Sequence, residues 1–308
     1  MRTLFKNPEH QAFFEENGYI KLPWLEPAEA AFLRDTYYRL KALKPDGFFA
    51  TYAIPDEAFR REVKSAISDV FQSKLERFFV DVEPKLVSFI TKTKGDPSKD
   101  YILAHQDWTF VDEEAGFSSL TVWCPLEPTH QANGNLGFVP RSNRLKRYPR
   151  QSEDCTNPYL AHYDMLRPYE VYVPTELGEA LFFDNATFHF SSKNTTDTDR
   201  LVAGMMIAER GATMAMYYEN VDDPGLLDKY CPDTEYFLQK PFGVRPDRFV
   251  ATLPKPLIAD PMREILAVYP DAPVPQEPPM EEEPVAKQEP VQIAPRTVWQ
   301  RVKGLFAG

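Results

Sequence analysis

The sequence is poor in cysteine, in uninterrupted apolar runs and in basic charge. Its three cysteines, Cys124, Cys155 and Cys231, are an odd number at wide spacing, which fits neither a disulfide framework nor a CxxC zinc site. No run of about 18 apolar residues could cross a bilayer, and the first residues lack the apolar core of a secretory signal. These absences predict a cytoplasmic protein, with a peripheral position at a membrane surface left open.

Acidic residues outnumber basic ones, 46 Asp and Glu against 35 Lys and Arg, which gives a formal net charge of -11. A protein that binds nucleic acid needs a basic surface that releases counterions from the phosphate backbone. We therefore expect no nucleic-acid partner. With 43% hydrophobic and 26% charged residues, the composition is ordinary for a globular protein with a large core.

The first part of the chain, residues 1–84, has a mainly helical pattern. After Pro27, apolar side chains recur at near-helical intervals and predict one helix, with Ala31, Phe32, Tyr38, Leu40 and Leu43 on its apolar face. A second amphipathic stretch covers residues 57–79, with Val63, Ile67, Val70, Phe71, Leu75 and Phe78 along one stripe. Residues 19–23 are predicted to form a short strand before the first of these helices.

From Lys85 onward the pattern changes to short β-like runs separated by Pro, Gly, Asn and Asp. Eight such runs follow one another: LVSFITKT, DYILAHQDW, SLTVWCPL, LGFVP, YEVYVP, EALFF, TFHFSS and RLVAGMMIAE. This succession indicates a barrel or a double-sheet jelly roll, in which wrapping protects the strand edges. We therefore predict one catalytic domain over residues 1–268, with a β-barrel core at 85–215 and a C-terminal extension at 216–268.

The C-terminal residues divide into two further segments. Residues 269–295 are rich in Pro and Glu with almost no large apolar side chain, which is typical of a disordered linker. Residues 296–308 regain an amphipathic pattern. This terminal segment could dock on a membrane surface or a protein partner, or pack back on its own domain. The oligomeric state cannot be read from the sequence.

Three side chains have the pattern of a metal site. His105 and Asp107 are two apart in a predicted strand, so both point to one face, and His189 lies in a later strand. Two imidazoles and one carboxylate form the site of non-haem ferrous oxygenases, which leaves three metal positions open for cosubstrate and O2. Arg200 opens the next strand, and its guanidinium suits a carboxylate such as the distal one of 2-oxoglutarate. His-x-Asp alone is a weak signal; the later His and the spaced Arg strengthen it.

Several longer stretches resemble the phytanoyl-CoA dioxygenase family of Fe(II)/2-oxoglutarate oxygenases. They are NGYIKLPWLEPAEAAFL, HQDW, VWCPLEPTHQANGNLGFVPRS and GEALFFDNATFHFSSKNTTDTDR, within residues 13–209. The resemblance implies a mainly β fold, a double-stranded β-helix of the jelly-roll, cupin-like type, with N-terminal helices packed on it. It also implies Fe(II) ligation by His105, Asp107 and His189 and binding of 2-oxoglutarate by Arg200. Ser191 matches a hydroxyl that assists this arginine, and Trp123 matches an aromatic residue of the cosubstrate pocket.

The chain departs from the family pattern at two places. The usual Pro-Gly-Ser-His is replaced by residues 140–143, which end in Asn143, and the usual Phe-His is Phe183-Asp184. Neither change removes a predicted iron ligand, although both affect expected substrate contacts. Asp107 is retained, whereas the halogenating members have a small residue there, so hydroxylation or a related oxidation is favoured.

The substrate is therefore expected to be a small organic molecule, a lipid or a carrier-linked group. A basic cluster after the Asn-Gly turn could bind a phosphate or carboxylate of such a carrier, or could be a solvated loop; it comprises Arg141, Arg144, Lys146, Arg147 and Arg150. Two alternatives remain open. One is a ligand-binding barrel without catalysis, and the other is a cupin-like metalloenzyme that does not use 2-oxoglutarate.

Overall fold

Two antiparallel sheets enclose the centre of the molecule. The computed structural model describes residues 3–40, 47–94, 102–152, 157–240, 243–255 and 257–274. A six-stranded sheet faces a four-stranded sheet, and a third, three-stranded sheet follows near the C-terminus. This arrangement, with helices at the N-terminal side, confirms the predicted mainly β, jelly-roll fold class.

The elements follow the chain in this order. The helices are α1 Pro8–Asn17, α2 Pro27–Leu40, α3 Glu57–Phe78, α4 Tyr236–Gln239 and α5 Pro261–Val268. The strands are β1 Tyr19–Pro23, β2 Phe48–Ala50, β3 Val82–Lys92, β4 Ile102–His105, β5 Ser119–Pro125, β6 Leu136–Phe138, β7 Val171–Tyr172, β8 Glu179–Asp184, β9 His189–Ser191, β10 Arg200–Glu209, β11 Met216–Glu219, β12 Leu226–Tyr230 and β13 Phe249–Pro254. Each of the eight predicted runs overlaps one of the strands β3 to β10, although β3 begins four residues before its run and β8 ends one residue after its run.

The six-stranded sheet has the order β1-β8-β5-β10-β3-β2, and the four-stranded sheet has the order β4-β9-β6-β7. Strand β10 lies between β5 and β3 and pairs with both over most of its length. Strands β1 and β2 come from the part of the chain predicted to be mainly helical, yet they form the two edges of the larger sheet. The N-terminal residues are therefore part of the β core as well as its helical cover.

Alternation along the strands separates two layers of core. One face of the six-stranded sheet packs against α2 and α3 through side chains such as Leu120, Val122 and Phe182. The other face turns toward the four-stranded sheet, where Trp123, Phe183 and Val202 meet Leu136 and Phe138. The inner layer lies between the two sheets, which is where the jelly-roll fold has room for a ligand-binding cavity.

Helix α3 follows its prediction, and α2 only in part. On α3 the stripe residues Val63, Ile67, Phe71 and Leu75 are buried. On α2 the predicted apolar face is wrong, because Phe32 is 53% exposed and Tyr38 is 44% exposed. The helix instead buries Ala30, Leu33 and Thr36. These residues are three apart and form a face of small and aliphatic side chains toward the core, while the side chains of Phe32 and Tyr38 stay exposed.

The C-terminal part adds the sheet β11-β12-β13 and helix α5. The beginning of the predicted linker is packed against the domain, since Tyr269 is 1% exposed and its hydroxyl donates to the backbone oxygen of Pro140 at 2.5 Å. Residues 275–308, which include the rest of the predicted linker and the amphipathic terminal segment, lie outside the described residues. Within the described part of the chain, every helix is too short or too polar to cross a membrane.

The face that α2 buries can be tested with two neighbouring substitutions. Leu33→Ala removes a fully buried side chain and should lower the free energy of unfolding by about 2–5 kcal/mol. Phe32→Ala removes a larger but exposed ring and should change the free energy of unfolding by less than about 0.5 kcal/mol. Urea unfolding followed by circular dichroism measures both, and equal losses would contradict the observed face.

Candidate active site

The first two predicted ligands lie at the end of β4. His105 is the last residue of this strand, and Asp107 lies two residues beyond it. The backbone amide of Asp107 nevertheless donates to the backbone oxygen of Asn185 at 2.9 Å, so the extended pairing continues past the strand. His189 begins β9 and stands opposite His105 in the antiparallel register. Adjacent strands thus bring the two imidazoles together.

The three side chains converge on one point. Oδ1 of Asp107 lies 3.8 Å from Nε2 of His105 and 3.7 Å from Nε2 of His189. One ligand atom from each group lies within 4.8 Å of the others. Ligands at right angles around a divalent first-row metal, with bonds of about 2.1 Å, are roughly 3 Å apart, so a small inward movement would complete the coordination. The donor set fits a metal ion.

Backbone carbonyls orient both imidazoles. Nδ1 of His105 donates to the oxygen of Leu103 at 2.8 Å, and Nδ1 of His189 donates to the oxygen of Thr187 at 3.0 Å. A carbonyl only accepts, so each Nδ1 carries the proton and each Nε2 keeps its lone pair toward the centre. Burial and the neighbouring His189 lower the pKa of His105 to about 4, against the opposite effect of Asp107. His105 is therefore neutral at pH 7, as a metal ligand must be.

Two residues that the sequence did not identify hold Asp107. Nδ2 of Asn185 donates to Oδ2 of Asp107 at 2.7 Å and to Oγ1 of Thr121 at 2.8 Å. Nε of the buried Arg150 donates to the backbone oxygen of Asp107 at 2.6 Å. Asn185 therefore fixes the carboxylate with Oδ1 turned to the two imidazoles. Its place two residues before the segment TFHFSS was the available signal, but an Asn in that position also fits an ordinary turn.

The basic cluster is occupied by internal ion pairs. Arg150 pairs with Glu113 at 2.6 Å, and Arg147 pairs with Glu113 at 3.2 Å and also with the buried Asp184. Burial acts to raise the pKa of Glu113, but these two guanidiniums lower it. Arg141 and Arg144 both pair with Glu16. Lys146 is exposed. Four of the five basic side chains thus support the loop itself.

The departures from the family pattern also have structural partners. Asp184, which stands where a histidine was expected, is 1% exposed and accepts from Arg147 and from the backbone amide of Ala186. Asn143 donates from Nδ2 to the backbone oxygen of Glu15 at 3.0 Å. Both residues face the packing of the N-terminal part and the basic loop, and neither lines the cavity described next.

The three convergent side chains open into a cavity between the two sheets. Arg200, Ser191 and Trp123 line the same cavity. Arg200 begins β10, is 1% exposed and donates to the backbone oxygen of Gly134, while its guanidinium carbon lies 5.2 Å from the centre of the Trp123 ring. Ser191 ends β9 and is 2% exposed. All six predicted site residues thus line one cavity.

A jelly roll with two imidazoles and a carboxylate at its centre is the architecture of a cupin-like metalloprotein. The family model described as phytanoyl-CoA dioxygenase (PhyH) matches residues 14–202, more than half of the chain. The chain belongs to this family, as the sequence motifs predicted. No functionally curated protein matches it closely enough in sequence to add to this assignment.

Solved structures share the fold. One is described as the non-heme alpha ketoglutarate dependent carbocyclase SnoK from nogalamycin biosynthesis, with 20% identity and a TM-score of 0.51 over 68% of this chain and 86% of that one. Another is the non-heme alpha ketoglutarate dependent epimerase SnoN from the same biosynthesis, with 20% identity and a TM-score of 0.50 over 81% and 96%. SnoN is also described in complex with Fe3+, alpha ketoglutarate and nogalamycin RO. At this identity the likeness shows a common fold.

The contact between Asn185 and Asp107 can be tested through metal affinity. Asn185→Ala removes the amide that fixes the carboxylate, and we expect Fe(II) to bind roughly 10-fold to 100-fold more weakly, as for other changes behind a metal ligand. Anaerobic titration calorimetry measures the affinity. Asn220→Ala is the matched control, since Asn220 donates to Asp228 near β12, away from the cavity. Equal affinities in wild type and Asn185→Ala would contradict this role.

Proposed function

We propose that the protein is an Fe(II)- and 2-oxoglutarate-dependent oxygenase that hydroxylates, or otherwise oxidises, a C–H bond of a small organic, lipid or carrier-linked substrate. The observation that carries the proposal is the convergence of Nε2 of His105, Nε2 of His189 and Oδ1 of Asp107 at the wall of a cavity between the two sheets. Membership of the phytanoyl-CoA dioxygenase family supports it.

His105, Asp107 and His189 would hold the ferrous ion. Together with 2-oxoglutarate and O2, the bound iron supplies the oxidising power that breaks a C–H bond, and succinate and CO2 are released. The chain's own contribution is orientation. The two carbonyl contacts keep both imidazoles in the ligating tautomer, and Asn185 keeps one carboxylate oxygen turned to the centre.

Arg200 and Ser191 would hold the distal carboxylate of 2-oxoglutarate. The guanidinium of Arg200 is buried, so its attraction to a carboxylate is little screened by water. Trp123 lies against this guanidinium and limits its movement. The position of Arg200 at the start of β10, with its side chain in the cavity, supports this assignment.

The aromatic wall of the cavity keeps water from the reacting centre. Trp108, Phe110 and Phe183 line it and are at most 5% exposed. The carboxylate of Asp107 occupies the position that a halogenating enzyme would leave open, which favours hydroxylation or a related oxidation. Strands β1 and β2 complete the sheet that carries Arg200, so we propose that residues 1–268 act as one catalytic domain.

Cosubstrate binding and turnover test the proposal together. Mixing the protein with Fe(II) and 2-oxoglutarate without O2 should produce a visible absorption band, and admitting O2 should release succinate. His189→Ala should lose both signals. Arg200→Gln should keep Fe(II) binding but raise the KM for 2-oxoglutarate roughly 10-fold to 100-fold, because one charged hydrogen-bonding group is lost.

Arg210→Gln is the matched control for Arg200→Gln. Arg210 follows the same strand but is exposed and pairs with Asp81, so its loss should leave the KM unchanged. Absence of the band in the wild-type protein would favour a non-catalytic binding barrel. Substrate oxidation without succinate, independent of Arg200, would favour a cupin-like metalloenzyme that does not use 2-oxoglutarate. Product analysis then distinguishes hydroxylation from desaturation or ring formation.

A further inference from the structure

Strand β10 forms a floor along the length of the cavity. Four residues of this strand line the cavity: Arg200 at its start, and Gly204, Met205 and Met206 farther along it. Met206 is six residues from Arg200, which is about 20 Å at the usual rise of a strand. The cavity therefore has two ends, a cationic end at Arg200 and a second end at Met206.

The second end, which we call the apolar end, is formed by Leu86, Trp108, Phe110 and Met206. Leu86 stands opposite Met206 in the pairing of β3 with β10. The rings of Trp108 and Phe110 lie 5.0 Å apart and belong with Met206 to one buried cluster. All four side chains line the cavity, and they carry no ionised group.

Gly204 widens the floor between the two ends. A Cβ atom there would lie 2.9 Å from Cδ1 of Ile90 and 3.3 Å from the backbone oxygen of Ser88. Any side chain at this position would push Ile90, which itself lines the cavity, out of place. The absence of a side chain at Gly204 therefore leaves Ile90 in its place at the cavity wall.

Ionised side chains are concentrated at the proposed iron and cosubstrate positions. Among the described residues that line the cavity, they are Asp107 and Arg200. The other lining residues with polar side-chain atoms are His105, His189, Trp108, Trp123, Tyr52, Ser88, Thr121 and Ser191. The hydroxyl of Ser88 already contacts Thr51 and the backbone oxygen of Phe89. A substrate charge in the apolar end would lose its hydration without gaining a partner of opposite sign, which is strongly unfavourable.

Carrier-linked substrates are disfavoured for a second reason. A carrier such as coenzyme A is a polyanion, and the protein has a formal charge of -11, so their long-range interaction is repulsive. The loop that could have received phosphates uses Arg141, Arg144, Arg147 and Arg150 in ion pairs with Glu16, Glu113 and Asp184. Binding a phosphate at Arg147 or Arg150 would require breaking their buried pairs with Asp184 and Glu113.

We infer that the substrate is an uncharged, largely apolar small molecule that occupies the apolar end of the cavity, and not an acyl-CoA or a free acid. This inference rests on the proposed function, in which the cavity binds the substrate of an oxygenase. It excludes the carrier-linked class and selects uncharged molecules among the small organic and lipid substrates. The side chains that make this selection are those of Leu86, Met206 and Phe110.

Displacement of a bound probe by ligands that share a ten-carbon chain and differ in head group tests this inference. The uncharged fluorophore N-phenyl-1-naphthylamine is bound to the full-length, metal-free protein carrying Arg200→Gln, so that a carboxylate cannot use the cationic end, and is displaced by decanol, decanoate or decanoyl-CoA. We expect decanol to displace it about 10-fold or more effectively than either anion. Leu86→Lys, which places a cation in the apolar end, should reverse the order of decanol and decanoate. The matched control Val250→Lys, at an exposed position on β13, should leave the order unchanged.

Equal or better displacement by decanoate or decanoyl-CoA would overturn the inference, as would a probe whose binding Leu86→Lys does not alter. Leu86→Gln, a smaller change with a neutral side chain, should weaken probe binding without reversing the order, and it provides the test if the lysine variant does not fold. The assay contains neither iron nor 2-oxoglutarate. Its failure is therefore separate from failure of the absorption band and of succinate release, which test the proposed function.

Discussion

The site depends on the register between strands β4 and β9. His105 stands opposite His189, and the backbone contact of Asp107 with Asn185 extends the same pairing beyond the strand. A shift of one residue would turn the side chains of one strand to the opposite face and separate the imidazoles. The buried phenyl rings of Phe188 and Phe190 on either side of His189 oppose such a shift, because it would exchange their positions with polar groups.

Buried ion pairs support the chain next to Asp107. Arg147 pairs with Asp184 and Arg150 pairs with Glu113, and Arg150 also donates to the backbone oxygen of Asp107. The basic residues that the sequence suggested for substrate binding thus support Asp107, one of the predicted metal ligands. Removing one partner from such a buried pair leaves an uncompensated charge. A substitution at Glu113 or Arg150 would therefore also disturb the position of Asp107.

The sequence predicted the features that follow from periodic patterns. Alternation identified the strands, and the spacing of His105, Asp107, His189 and Arg200 identified the groups that line one cavity. It did not predict the face of α2, because an exposed Phe32 and a buried Thr36 contradict residue hydrophobicity, and only the packing against the sheet decides between them. The role of Asn185 was also out of reach, since it depends on a contact with a residue 78 positions away.

Gly18 connects the outer helices to the centre of the molecule. It ends α1 with a φ of 78°, and its backbone oxygen accepts from the amide of Asp184 and from the hydroxyl of Thr187, two residues before His189. A Cβ atom there would lie 2.4 Å from that hydroxyl oxygen. A side chain at position 18 would thus displace Thr187 and disturb strand β9 from outside the cavity, at a position whose positive φ already favours glycine.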